Sequence, residues 1–205
     1  MILFIRFSLL FLTVMLINGC STQRLESAKP QEHQTIKQRN AQLLQTNDWQ
    51  MNGKIAFIQS NKRESASIRW QYQQSNHSQN IDLTSYLGMN ILHVESNKNT
   101  HTLVVDGKSY QSTNLDQMIY SLTGLTLPID ALTYWLKGLT YNSSDSISYH
   151  VDSKLPLILT SEYNNQQWQI TYDDYQKVTD VQLATKFTIK QNDLLIKVLV
   201  KKWTI

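Results

Sequence analysis

The chain has 205 residues, a formal net charge of +3 and a single cysteine. So mild a charge does not argue for nucleic acid, one thiol excludes an intramolecular disulfide, and the length suits one domain around one hydrophobic core. Six glycines are present, and none forms a phosphate-cradling or nucleophile-elbow motif.

Residues 1–19 carry Arg6 as their only charge, then the apolar run FSLLFLTVMLI. That run is long enough for a signal-peptide core and short for a membrane span. It closes on LINGC, with Ile17 three places before Cys20 and Gly19 directly before it. The ending resembles the bacterial lipobox, with Asn18 a less usual member. The resemblance implies that 1–19 is a lipoprotein signal peptide and that Cys20 carries a covalent diacylglycerol and an N-acyl lipid, with no other cofactor. By the sorting pattern known for such lipoproteins, an aspartate after the cysteine favours the inner membrane; Ser21 points to the outer one. Without residues 1–19 the chain keeps 18 basic and 16 acidic side chains. Residues 20–34, polar and free of aromatics, form an acylated N-terminus and flexible tether to a folded domain at 35–205.

From about Ile36 to Thr46 a helical spacing puts Ile36, Leu43 and Leu44 on one side. Beyond Trp49 the period becomes two, and WQMNGKIAFIQ, SIRWQYQ, NIDLTS, MNILHVES and HTLVVD read as successive strands. Asp106-Gly107 is a two-residue hairpin signal, so this meander is antiparallel. In STNLDQMIYSLTG, Leu115, Met118, Ile119 and Leu122 follow helical spacing, with Thr113 as N-cap and Gly124 as stop. In LPIDALTYWLKG, Pro128 suits the first turn, Leu132, Trp135 and Leu136 share a face, and Gly138 ends the run. Strands resume in LPLILTSEY, QWQITYDDY, ATKFTIK and LLIKVLVKKWTI, with turns at Asn164-Asn165 and Asn192-Asp193. Strands on both sides of a helical pair, without βαβ alternation, predict an α+β fold in which a curled antiparallel sheet has one face covered by helices.

Little in this pattern points to catalysis. The five histidines are scattered, and none pairs with another at metal-ligand spacing. Asp173 and Asp174 are neighbours on a strand, a geometry that sends them to opposite faces rather than into a shared acid-base pair. What remains is apolar surface: Trp49, Trp70, Trp135, Trp168 and Trp203 lie on four predicted strands and one helix. They either fill the core or wall a cavity between sheet and helices.

The order of WQMNGKIAF, IRWQY, a mid-chain YLG turn, LTGLTLPIDALTYWLKG, WQITYDDY and IKVLVKKWTI behind a lipobox resembles the LolB family. The likeness runs over the mature chain and is most specific from Thr123 to Gly138. It implies a single-domain, open half β-barrel with an α-helical lid, as in LolA and LolB. It also implies a monomeric, non-enzymatic outer-membrane lipoprotein facing the periplasm. Such a protein accepts lipoproteins from the periplasmic carrier LolA, holds their acyl chains in a hydrophobic cavity and inserts them into the inner leaflet of the outer membrane without nucleotide. Ile68, Trp70, Leu132, Trp135, Leu136 and Trp168 are expected to line the cavity. Leu87, in the turn matching the family's membrane-touching tip, is expected to insert into the bilayer. This chain has Tyr86-Leu87-Gly88 where the family commonly has Pro-Leu-Gly, and lacks the proline often seen after the second of these helices. A half-barrel lipid or glycolipid carrier, a structural envelope lipoprotein and a lipid-modifying enzyme share parts of the same pattern.

Overall fold

The computed structural model describes residues 34–60 and 62–205; the signal segment, Cys20, Ser21 and the tether up to residue 33 lie outside them. Helix α1 (Ile36–Leu44) opens the described chain with a reciprocal cap, in which the Thr35 hydroxyl accepts from the Gln38 amide and the Gln38 side chain accepts from the Thr35 amide. Six strands follow as a meander: β1 (Asp48–Gln59), β2 (Lys62–Gln73), β3 (Ser78–Thr84), β4 (Asn90–Ser96), β5 (His101–Val105) and β6 (Lys108–Ser112). Helices α2 (Leu115–Thr123) and α3 (Ile129–Trp135) come next. A second meander completes the chain: β7 (Ser146–Tyr149), β8 (Pro156–Tyr163), β9 (Gln166–Val178), β10 (Val181–Gln191) and β11 (Leu194–Thr204).

All eleven strands form one antiparallel sheet in the order β6-β5-β4-β3-β2-β1-β11-β10-β9-β8-β7. The two meanders meet where the first strand pairs with the last, Ile55 opposite Val198 and Met51 opposite Trp203. Strands β6 and β7 lie at the two edges and do not pair with each other, so the barrel is open as expected. Asp106-Gly107 and Asn164-Asn165 hold the positive φ angles that two-residue hairpins need, 50° and 73° for the first pair and 53° and 58° for the second. Gly124 and Gly138 end their helical segments in the left-handed conformation, also as read from the sequence.

Local details differ. Helix α1 buries Arg39 and Leu43, four residues apart, while Leu44 is turned out to solvent and Ile36 is half-buried. The guanidinium of Arg39 replaces the expected apolar contact, donating to the carbonyls of Lys137 at 2.8 Å and Gln182 at 3.2 Å. Lys137 returns the bond, its ammonium 3.4 Å from the carbonyl of Leu43 at the end of α1. Two buried cations thus brace the ends of α1 and α3 through carbonyls rather than carboxylates. Burial lowers the affinity of both for a proton and brings the Lys137 ammonium down to about 8. The N-cap of α2 is Asn114 rather than Thr113: its Oδ1 accepts from the Gln117 amide at 2.9 Å. The segment SISY is a short edge strand, β7, that its sparse apolar content did not announce. Asp173 and Asp174 both face solvent, Asp174 at positive φ where the β9–β10 ladder skips the pair Asp174 and Thr185 without changing register, and Asp174 pairs with Lys186.

The seam between the meanders tolerates no side chain at Gly53. A Cβ there would stand 2.1 Å from the Leu199 carbonyl oxygen, at the point where the β1–β11 register shifts. Gly53→Ala should therefore destabilise the fold by at least about 2 kcal/mol, read as a lower urea midpoint; an unchanged midpoint would show that the seam relaxes freely. A second test concerns Asp116, in the first turn of α2. Burial and the charge of Asp130 raise its carboxyl from 3.8 to about 6. The unfolded chain ionises first, so this group's contribution falls as pH rises from 3.8 to about 6 and stays lost above it. Asp116→Asn should stabilise by about 1 kcal/mol above that window, after discounting for water that still reaches the carboxylate, and by nothing below it. Equal stability of the two proteins at neutral pH would contradict the assignment.

Candidate functional site

Side chains alternate along the strands, so one face of the sheet carries Met51 and Ile55 from β1, Ile68 and Trp70 from β2, and Ile81 and Val94 from β3 and β4. The cross-strand register sets Met51 beside Trp70, and Trp70 beside Ile81, in a continuous apolar wall. Ile196 and Val198 of β11 and Ile189 of β10 extend it across the seam. Helices α2 and α3 roof this trough with Ile119, Leu122, Ile129 and Leu132, and Leu136 follows directly after α3. The roof does not fill the trough, and a cavity of about 380 Å³ remains between it and the sheet. Its size lies within the ~300–1,000 Å³ range of small-molecule pockets. An apolar void is not stably filled by water, so its natural occupant is hydrocarbon.

Apart from Thr123 at the end of α2, the polar lining lies at one end. Gln59, Lys62 and Glu64 belong to the β1–β2 hairpin and Asp106 to the β5–β6 turn, which together mark the mouth. Lys62 and Glu64 form an exposed ion pair there at 2.9 Å. Deeper in, the one indole of the lining has its polar end satisfied: Trp70 Nε1 donates to Gln79 Oε1 at 3.1 Å. Its ring therefore presents only apolar surface to the cavity.

Of the six residues expected to line the cavity, Ile68, Trp70, Leu132 and Leu136 are brought together there. Trp135 and Trp168 are not, and that expectation is corrected. The trough is divided along its length: under β8 and β9 it is packed solid, with the Trp135 and Trp168 rings 6.1 Å apart and Tyr163 against Trp135 at 6.1 Å. Trp135 is fully buried, donates from Nε1 to Asp145 at 2.8 Å, and accepts the Tyr172 hydroxyl on its carbonyl at 2.7 Å. These two tryptophans build the rigid half of the domain. The lining that sequence reading missed is aliphatic, including Met51, Ile55, Ile189, Ile196 and Val198. The β1–β11 register would have revealed it, since it lays residues from the two ends of the chain side by side.

Leu87 stands where a projecting residue should. The loop Ser85–Met89 is closed by Ser85 N–H to the Met89 carbonyl at 2.8 Å and Gly88 N–H to the Ser85 carbonyl at 3.0 Å. Gly88 takes a φ of 81°. Leu87 is 78% exposed, Tyr86 fully exposed and Met89 62% exposed. Ile91, 40% exposed, belongs to the cavity lining as well. The tip is therefore a group of apolar side chains continuous with the mouth. Metal chemistry finds no support in the arrangement: His93 bonds Asp82 at 2.7 Å and His101 bonds Ser96 at 2.7 Å, and no metal-holding group of His, Cys, Asp or Glu occurs among the described residues.

Comparison with known proteins agrees with this geometry. Residues 47–203 match the family model for the outer membrane lipoprotein LolB. The outer-membrane lipoprotein LolB of Psychromonas ingrahamii is 35% identical over 165 residues, covering 79% of this chain and 78% of its own. That of Pseudoalteromonas translucida is 29% identical over 201 residues, covering 97% and 94%. A LolA superfamily protein from Nitrosomonas europaea shares the fold at a TM-score of 0.54 and 8% identity, over 82% of this chain and 90% of that one. The family and both relatives are named as lipoproteins and not as enzymes. By the match of its family model over most of its length, the chain belongs to the LolB family of outer membrane lipoproteins.

Proposed function

We propose that this protein is acylated at Cys20, sorted outward by Ser21, and anchored in the outer membrane facing the periplasm. There it accepts lipoproteins from the carrier LolA, shelters their acyl chains in the cavity roofed by α2 and α3, and delivers them to the inner leaflet past the tip at Leu87. The observation that carries this reading is the largely apolar cavity whose mouth lies beside an exposed apolar loop.

The physical chemistry suits a handover without nucleotide. Each methylene kept from water contributes on the order of 0.8 kcal/mol, so acyl chains do not leave a carrier through solvent at a useful rate. They need an apolar path, which Ile91, Met89 and Leu87 offer from mouth to bilayer. Each host along the path need hold the chains only slightly better than the last, since about 1.4 kcal/mol gives a tenfold bias. A cavity that bound much more tightly than the bilayer would stall delivery.

Mixing a LolA–lipoprotein complex carrying radiolabelled cargo with this protein, in the absence of nucleotide, tests the proposal. Cargo should move to this protein and then to liposomes; cargo that stays on LolA contradicts it. Leu87→Glu should leave folding and acceptance intact and block delivery, because it removes about 1.5–3 kcal/mol of interfacial insertion and adds a charge. Cargo should then accumulate on the variant. Normal delivery would strip the tip of any role, and failure to accept or a much lower melting temperature would place Leu87 in the core. Leu136→Asn should weaken acceptance, and uptake equal to the parent protein would argue against the roof as a binding surface.

A further inference from the structure

On its four central strands the opposite face of the sheet carries eight of the chain's nineteen Lys and Arg side chains. Counting outward-facing positions on the four central strands gives Arg63 and Arg69 on β2, Lys54 on β1, Lys197, Lys201 and Lys202 on β11, and Lys186 and Lys190 on β10, all exposed. Neither β10 nor β11 contains an acidic residue. On β1 and β2 the acids are Asp48, at the far end of its strand, and Glu64, which lines the cavity mouth on the other face. Among the described residues, the ion pairs at these positions are limited to Lys186 with Asp174. The whole chain has a formal net charge of only +3, so the rest of the molecule is net negative; on this face the acids lie on the flanking strands, Asp82 opposite Arg69, Glu95, Asp173 and Asp174, and the positive strip is confined to the four central strands.

The register shows how the cations are spread. Lys197 lies between Ala56 and Thr188, Lys54 faces Leu199 and Ser67, and Lys190 faces Leu195. Lysines predominate, and small or apolar side chains separate most of them, Lys201 and Lys202 being neighbours and Leu199 42% exposed. There is no aromatic anchor and no pocket among them. A shaped protein epitope concentrates its energy in aromatic and arginine side chains seated in pockets. A diffuse plane of negative charge asks only for mobile ammonium groups above it.

We infer that this face docks on anionic phospholipid headgroups. The inference rests on the proposed acyl anchor for proximity: fifteen tether residues reach at most about 50 Å, which keeps the domain at the leaflet. With this face down, the helical roof is turned away from the bilayer, toward an incoming carrier. Because the sheet is curled, its back meets a plane along a strip, and the central strands β1, β11 and β10 supply Lys54, Lys197 and Lys190 to that strip.

The test uses the full acylated chain reconstituted in vesicles of phosphatidylcholine alone or mixed with phosphatidylglycerol, with amine-reactive labelling read by mass spectrometry. Labelling of Lys54, Lys190 and Lys197 should fall about fivefold on the mixed vesicles at low salt and recover at high salt. Lys98 and Lys154, in turns away from this face, should label equally on both. The combined variant Lys54→Gln, Lys190→Gln, Lys197→Gln should still float with its anchor and lose the lipid-dependent protection of Lys201 and Lys202. Flotation with no difference between vesicles overturns the proposal, and so does protection that appears only when LolA is added to neutral vesicles, which would assign the face to an acidic protein. Flotation with the mixed vesicles alone would remove the acyl anchor and leave the docking face standing. Flotation with neither overturns both.

Discussion

Pairing of the first strand with the last is the contact on which the rest of the molecule depends. Without the β1–β11 ladder there are two separate meanders, each with an apolar face and a second long edge. Such edges invite association with other chains. With it, the sheet becomes continuous, Ile55 meets Val198, and the two halves of the trough share one roof. The backbones also approach closely at the seam, because the Leu199 carbonyl occupies the space where any residue but glycine at position 53 would put its Cβ. Bringing together residues so far apart in sequence makes ordering this seam the entropically demanding step of folding.

From that seam the domain divides into a rigid half and a receptive half. Under β8 and β9 the space is closed by tilted and edge-on aromatic rings and by hydrogen bonds from Tyr172 and Trp135. Under β1 to β4 and β11 it is walled with aliphatic side chains and left open. The contrast is chemical as well as geometric: in the packed half Trp135 and Tyr172 are held by their polar ends, and the open half exposes mainly methyl and methylene groups of no fixed direction. A surface of that kind suits flexible chains of varied length better than it suits one shaped ligand. The braces at Arg39 and Lys137 hold the far ends of the helices, on the side away from the mouth.

Much of the architecture was legible in the sequence because its signals are local. Asp106-Gly107, Asn164-Asn165, Gly124 and Gly138 set turn and stop geometry through their own backbone preferences, and the period-two runs located the strands. The resemblance carried by the LTGLTLPIDALTYWLKG segment supplied the open barrel and lid. Reading stopped where burial depends on partners remote in the chain. Leu44 and Ile36 looked like the inner side of α1 until Arg39 proved to have carbonyls waiting for it. Trp135 and Trp168 share the correct face of their elements with Trp70 but lie farther around the curl, a distance that only strand order and register define. Ile189, Ile196 and Val198 join the cavity for the same reason.

The central claim is that acyl chains occupy the open half and not the packed half. Tryptophan fluorescence separates the two, because Trp70 lines the cavity while Trp168 is sealed behind Trp135. In variants that retain only one of these tryptophans, a brominated fatty acyl chain should quench Trp70 strongly and saturably and leave Trp168 nearly unchanged. Equal quenching of both, or quenching of Trp168 alone, would contradict the account.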